Sequence, residues 1–120
     1  MKNLQPGMLH VPSYGPVVVQ EITYLRAEGN YCYVYARPFI RPILCATPLA
    51  GFAQQLPGFL RPHKSYLVNP QHVDAFEQRP ENTKCYRLRL RGGVVLPVAR
   101  RRIGYTVAEL VDAVGPLCRQ

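Results

Sequence analysis

From Tyr86 to Val98 the side chains spell out a β-hairpin. Tyr86, Leu88 and Leu90 alternate with Arg87, Arg89 and Arg91; Gly92-Gly93 follows, and Val94, Val95, Leu96 and Val98 resume an apolar run. Successive side chains of a strand take opposite faces, so this period-two pattern fits a half-buried strand and not a helix. Paired glycines tolerate the positive φ of a tight turn. The three arginines therefore share one face, turned away from the core, and by themselves they read as a solvated face.

Upstream, the same reading gives more short strands. Val17-Val18-Val19 opens one, Ile22 to Ala27 forms a second and Tyr31 to Ala36 a third, with Glu28-Gly29-Asn30 as hairpin turn between the last two. Tyr24, Tyr33 and Tyr35 are expected to pack within this sheet. Ile40 to Cys45 reads as a fourth strand, biased to a sheet edge by Pro38 and Pro42. Tyr66 to Val68 and Val73 to Phe76 follow, and Arg79-Pro80-Glu81-Asn82 is a turn. Two helices interrupt the pattern. Thr47 and Pro48 suit a helix start, with Leu49, Phe52, Ala53 and Leu56 on one face and Pro57-Gly58 as stop. Near the C-terminus Thr106 and Glu109 have capping-box spacing, Leu110, Val111 and Val114 are apolar, and Gly115-Pro116 ends the helix. The connections are too short for repeated βαβ crossovers, so the fold is mainly β and antiparallel.

A chain of 120 residues fits one domain. Residues 1–16, with Pro6, Pro12 and Pro16, read as an extended N-terminal arm or edge segment, residues 17–103 as the β domain, and residues 104–120 as a C-terminal helix and tail. No apolar run is long enough to cross a bilayer, and the first residues lack the apolar core of a signal peptide; a soluble cytoplasmic protein is expected. Cys32, Cys45, Cys85 and Cys118 form no C-x-x-C pair, and His10, His63 and His72 are scattered, so no metal site or other cofactor is expected.

Charge narrows the function. Residues 61–102 hold ten Lys or Arg against Asp74, Glu77 and Glu81, and so carry +7 of the net charge of +8. Twelve of the fifteen cations are arginine, whose fork suits phosphate and guanine better than the point charge of lysine. Two clusters stand out. Arg61, His63, Lys64 and Ser65 precede the Tyr66–Val68 strand, and Arg100-Arg101-Arg102 ends the Leu96–Val98 run. Two basic strand ends that meet in space would make a nucleic-acid reader. No catalytic set competes: Ser65 lies beside His63 but no acid orients the imidazole, and no phosphate-binding glycine motif is present, so an enzyme is not expected.

Three segments carry a family resemblance. Tyr24-Leu25-Arg26-Ala27-Glu28-Gly29-Asn30-Tyr31, Leu56-Pro57-Gly58-Phe59-Leu60-Arg61-Pro62-His63-Lys64-Ser65-Tyr66-Leu67-Val68-Asn69 and Leu96-Pro97-Val98-Ala99-Arg100-Arg101-Arg102 resemble, in order and spacing, the signature blocks of the LytTR-type DNA-binding domain, the output domain of many bacterial response regulators. The resemblance implies an elongated arrangement of small antiparallel sheets. It also implies loops that read successive major grooves of duplex DNA, two protomers on repeated half-sites, and bent DNA. Carried over, base contacts fall on Lys64, Arg101 and Cys32, and DNA-backbone contacts on Asn30, Tyr31, Arg61, His63, Ser65, Arg100 and Arg102. Pro62, Lys64 and Ala99 depart from the commoner aliphatic, Arg and Ser, and a polar or basic side chain is commoner at Cys32. Asn69 is expected to serve a turn and not DNA.

The family's usual receiver domain has no counterpart before residue 17. The expectation is a transcription regulator that works without one, controlled by abundance, by a sensor or regulator protein, or by the C-terminal helix. The rival reading is a basic β-rich protein-interaction or RNA-binding module without duplex specificity, which would need exposed aromatic platforms for stacking.

Overall fold

The computed structural model describes residues 6–115. It is mainly β, with three antiparallel sheets. Strands β1 (Met8–Val11) and β2 (Gly15–Val18) form a hairpin. The central sheet has five strands, β3 (Ile22–Glu28), β4 (Tyr31–Ala36), β5 (Ile43–Cys45), β6 (Leu60–His63) and β7 (Tyr66–Val68), in the order β5-β4-β3-β7-β6. The third sheet, β8 (Val73–Arg79), β9 (Asn82–Leu90) and β10 (Val95–Val98), runs β10-β9-β8. Helix α1 (Leu49–Gln55) lies between β5 and β6, and α2 (Ile103–Val114) closes the described chain.

Alternation along each strand splits the interior into two cores around the central sheet. Leu25, Cys32, Val34 and Leu67 face one side, where Leu9, Val11 and Val17 of the first hairpin and Leu49, Phe52 and Leu56 around α1 cover them. Tyr24, Leu60 and Val68 face the other, against Phe76, Leu88, Leu90, Leu96 and Val98 of the third sheet and Leu110 of α2. Asn69 locks the two sides together. Its Oδ1 accepts the Gln71 N–H at 3.0 Å, as expected for a turn residue, and its Nδ2 donates to the Ile22 carbonyl at 2.9 Å.

Several sequence expectations need correction. Of the two alternatives for residues 1–16, extended arm or edge segment, residues 8–11 fit the second: they are a strand with Leu9 and Val11 buried, and the turn needs the positive φ of Ser13 and Gly15. The strand expected from Ile40 begins only at Ile43, and Ile40 is fully exposed, because Pro42 interrupts extension; β5 does lie at a sheet edge. Pro48, not Thr47, holds the cap position of α1, and Thr47 makes no capping bond. Thr106 is no cap either. A 3-10 turn at Arg100–Arg102 feeds straight into α2, so the helix starts at Ile103 and buries Thr106 one turn inside. Gly115, at φ 84°, ends it as expected. The rest of the tail, with Pro116 and Cys118, lies outside the described residues.

Candidate nucleic-acid interface

The basic segment from Arg61 is not a loose loop. Arg61, Pro62 and His63 belong to edge strand β6, and only Lys64-Ser65 makes the turn to β7. The β6–β7 register shifts between Leu60 and His63, so a bulge falls on Arg61-Pro62. Proline has no N–H for the ladder, which suits it to a bulge on an edge strand. A two-residue hairpin turn favours residues with positive φ, and neither Lys64 nor Ser65 has it. Side chains make up the support. The Ser65 N–H donates to His63 Nδ1 at 3.1 Å, and Arg61 Nη2 donates to the Lys64 carbonyl at 2.9 Å. Lys64 is left exposed at the tip, with no ion pair among the described residues.

Backbone and side-chain bonds draw the second cluster to this turn. The Ala99 N–H, at the end of β10, donates to the Pro62 carbonyl at 2.8 Å, and Arg102 Nη1 donates to the Arg61 carbonyl at 3.2 Å. The 3-10 turn then exposes Arg100, Arg101 and Arg102. A third turn joins from β3–β4: the Ala27 N–H donates to the Ser65 carbonyl at 2.8 Å, and Asn30 and Tyr31 are exposed just beyond. Three turns from two sheets thus share one end of the molecule.

Burial, with charge crowding second, shifts two groups there. Burial, then the charges of Lys64 and Arg102, lowers the His63 pKa from the ordinary 6.5. Because Nδ1 accepts the Ser65 N–H, the neutral ring carries its proton on Nε2. Arg61 is also lowered, by burial first and then by Arg102, and its Nε is buried without a partner. One Nη of its guanidinium is spent on the turn, so Arg61, expected at a phosphate, also has a supporting task.

Cys32 departs from expectation altogether. It is 0% exposed in the first core, opposite Cys45 in the β4–β5 register, and desolvation pushes its thiol up to about 12. A buried neutral thiol has no surface to offer a base, so Cys32 is withdrawn from the interface. The signal was in the sequence: Cys32, Val34 and Ala36 alternate with Tyr31, Tyr33 and Tyr35, which puts the cysteine on the core face.

Two charged groups escaped the sequence reading. Glu77 is buried on β8 and takes Arg87 Nε at 2.8 Å and Arg89 Nη2 at 3.0 Å, so these two arginines brace the third sheet. Arg26 bonds Glu28 at 2.6 Å and lies 4.6 Å from the centre of the Tyr33 ring, fixing the base of the β3–β4 turn. Tyr24 stacks on Tyr35 at 4.2 Å, within the sheet as expected.

No described helix is long and apolar enough to cross a membrane, and no group of three or more His, Cys, Asp or Glu among the described residues could hold a metal ion. A search of curated proteins returns no match. Among solved structures, the LytTr DNA-binding domain of a protein described as a methyl-accepting/DNA response regulator from Bacillus cereus superposes with a TM-score of 0.72 at 24% identity, covering 88% of this chain and 97% of that one. That likeness establishes the fold. The family model for the LytTr DNA-binding domain matches residues 14–108, most of the chain, and the chain belongs to that family of DNA-binding domains.

Proposed function

We propose that this protein is a cytoplasmic, sequence-specific transcription regulator that reads the major groove of duplex DNA with side chains carried on turns, and bends the DNA in doing so. The observation that carries this reading is the joining of the two basic clusters, through the Ala99–Pro62 and Arg102–Arg61 bonds, at an end where Lys64, Arg100 and Arg101 have no ion-pair partner among the described residues. Arginines braced by Glu77 stand elsewhere and do not compete for the role.

In this reading Lys64 and Arg101 face base edges. Arg100 and Arg102 meet phosphates, together with the Nε2–H of neutral His63, Ser65, and Asn30 and Tyr31 from the β3–β4 turn. Arg61 holds the Lys64 turn. Phosphate contacts set register and base contacts set sequence. A forked Arg101–guanine contact is worth about 1–3 kcal/mol of discrimination. Turns from one narrow end reach successive grooves only if the duplex curves towards them, and two protomers on repeated half-sites extend the contact. Tyr24 and Tyr35 stack on each other and offer no platform to single-stranded bases; Tyr14, Tyr31 and Tyr105 are exposed, and the single-stranded RNA arm of the gel shift bears on them.

The test is a gel shift with a selected duplex, random duplex and single-stranded RNA. With roughly six to ten phosphate contacts, affinity should fall about 10³–10⁵-fold between 50 and 200 mM salt. Arg101→Ala should flatten sequence preference, whereas Arg102→Ala should weaken all duplexes about equally. Equal or tighter binding of RNA would overturn the duplex reading, and the reverse pattern of the two substitutions would overturn the division of roles.

A further inference from the structure

At the end of the molecule away from the basic turns, the seam between the central and third sheets is open. A cavity of about 720 Å³ and a second of about 310 Å³ lie along it, and Arg37 and Arg91 line both. Each arginine directly follows a strand end, Arg37 after β4 and Arg91 after β9. Their backbones are pinned: the Arg37 N–H donates to the Glu21 carbonyl at 2.8 Å, and the Arg91 N–H to the His72 carbonyl at 3.0 Å. Their side chains are largely unspent. Arg37 reaches the Glu21 carboxylate only at 3.7 Å, with both groups well exposed, a geometry worth little. Arg91 has no ion pair among the described residues.

The polar groups deeper in the larger cavity are already used. Asn69 Nδ2 donates to the Ile22 carbonyl at 2.9 Å, and His72 Nε2 meets the Gln20 carbonyl at 2.8 Å. The remaining walls are mixed: Val18, Val19 and Phe59 give the larger cavity an apolar part beside Gln20 and Gln71, and Tyr35, Phe39 and Leu90 do so in the smaller beside Thr23. Small-molecule sites combine such apolar walls, in this range of volume, with a few converging polar groups. The two arginines set against Glu21 leave one net positive charge for a ligand to neutralise.

We propose that Arg37 and Arg91 form a second binding site, for a small organic anion: a carboxylate or phosphate ester held by the two guanidinium groups, with an apolar body lying in the adjoining cavity. Arginine recognises either group through the same forked geometry. An occupant touches both the sheet that carries Lys64 and the sheet whose β10 leads to Arg101, so it bears on their relative placement. The site does not depend on the DNA reading, and none of its residues belongs to the basic turns.

The full chain is titrated with phenylacetate, with phenyl phosphate and with neutral phenylacetamide while backbone amide shifts are followed by NMR. The expected result is saturable shifts centred on Val19, Arg37, His72 and Arg91 with at least one anion, at a Kd of millimolar order, and binding of phenylacetamide at least about tenfold weaker. The preferred anion identifies the ligand's acidic group. Arg37→Gln and Arg91→Gln should each weaken binding by about tenfold while leaving the amide spectrum otherwise native. Absence of saturable shifts with both anions would overturn the proposal. So would shifts centred on Lys64 and Arg100–Arg102, which mean adventitious anion binding to the basic end, or unchanged binding by the doubly substituted protein.

Discussion

His63 ties local chemistry to pH. Its folded pKa lies below the ordinary 6.5, because burial and the Lys64 and Arg102 charges resist a proton there. Protonation would also cost the bond from the Ser65 N–H to Nδ1. The unfolded chain therefore binds the proton first. The stability His63 contributes is complete above about pH 6.5 and is lost as pH falls from there towards the lower folded pKa. Denaturant midpoints should drop between about pH 8 and about pH 5 more steeply in the parent than in His63→Asn, whose amide oxygen still accepts the Ser65 N–H. Parallel curves would show that the ring does not titrate as described. Cys32 makes the opposite point. With its thiol pushed up to about 12 and no exposed area, it should resist alkylation at neutral pH, as should buried Cys45, while half-buried Cys85 reacts first of these three. Peptide mapping after native-state alkylation checks the order, and early labelling of Cys32 would place it at the surface after all. The motif blocks singled out Lys64 and Arg101, and the structure leaves both exposed on turns. Sequence spacing missed the burial of Glu77, because the Arg87 opposite it is set by a strand pairing ten residues away.

Elements divide the work. The central sheet supplies two of the three turns, the third sheet supplies the strand that leads to the arginines, and α2 holds the two sheets in place. Leu110 on α2 is 2% exposed, in the same core as Leu60, Val68 and Val98, and the helix packs on β6 and on the Pro70–His72 turn that leads into the third sheet. That packing gives α2 a structural task. Leu110→Ala should cost about 2–4 kcal/mol in equilibrium unfolding. A loss below about 0.5 kcal/mol, the range of surface substitutions, would mean the helix is dispensable to the fold. Strand and helix identities were largely legible, since periods of 2 and 3.6 are properties of local sequence. Helix starts were not. Thr47 and Thr106 both had the chemistry of a cap, but Pro48 and the turn at Arg100–Arg102 set the entry of the chain instead.

Across the whole molecule, the basic end exists because a strand end of the third sheet is bonded to the edge strand of the central sheet there. The Ala99 N–H to Pro62 carbonyl bond is the backbone link at that end, and Ala99 has φ −65°, which proline also adopts. Ala99→Pro fits the backbone φ but removes the donor and puts its Cδ where the Pro62 carbonyl now accepts, so the two strand ends must part. It should cost more than the roughly 1 kcal/mol of the lost hydrogen bond. DNA affinity should fall by more than about tenfold, beyond what that loss explains, because Lys64 and Arg101 lose their common frame. Duplex binding measured well below the melting temperature separates the two effects, and unchanged affinity would mean that the clusters act independently. Sequence alone determined the β class, the helices, the excess of unpaired cations and the family, all of which rest on local period, composition and motif. Tertiary structure decided which cations stay free. Arg87 and Arg89 meet buried Glu77, Arg61 bonds the Lys64 carbonyl, Cys32 disappears into the core, and Lys64 comes to share an end with Arg100–Arg102. Each of these outcomes depends on strand register and on the meeting of residues far apart in the chain, and local sequence carries no measure of either.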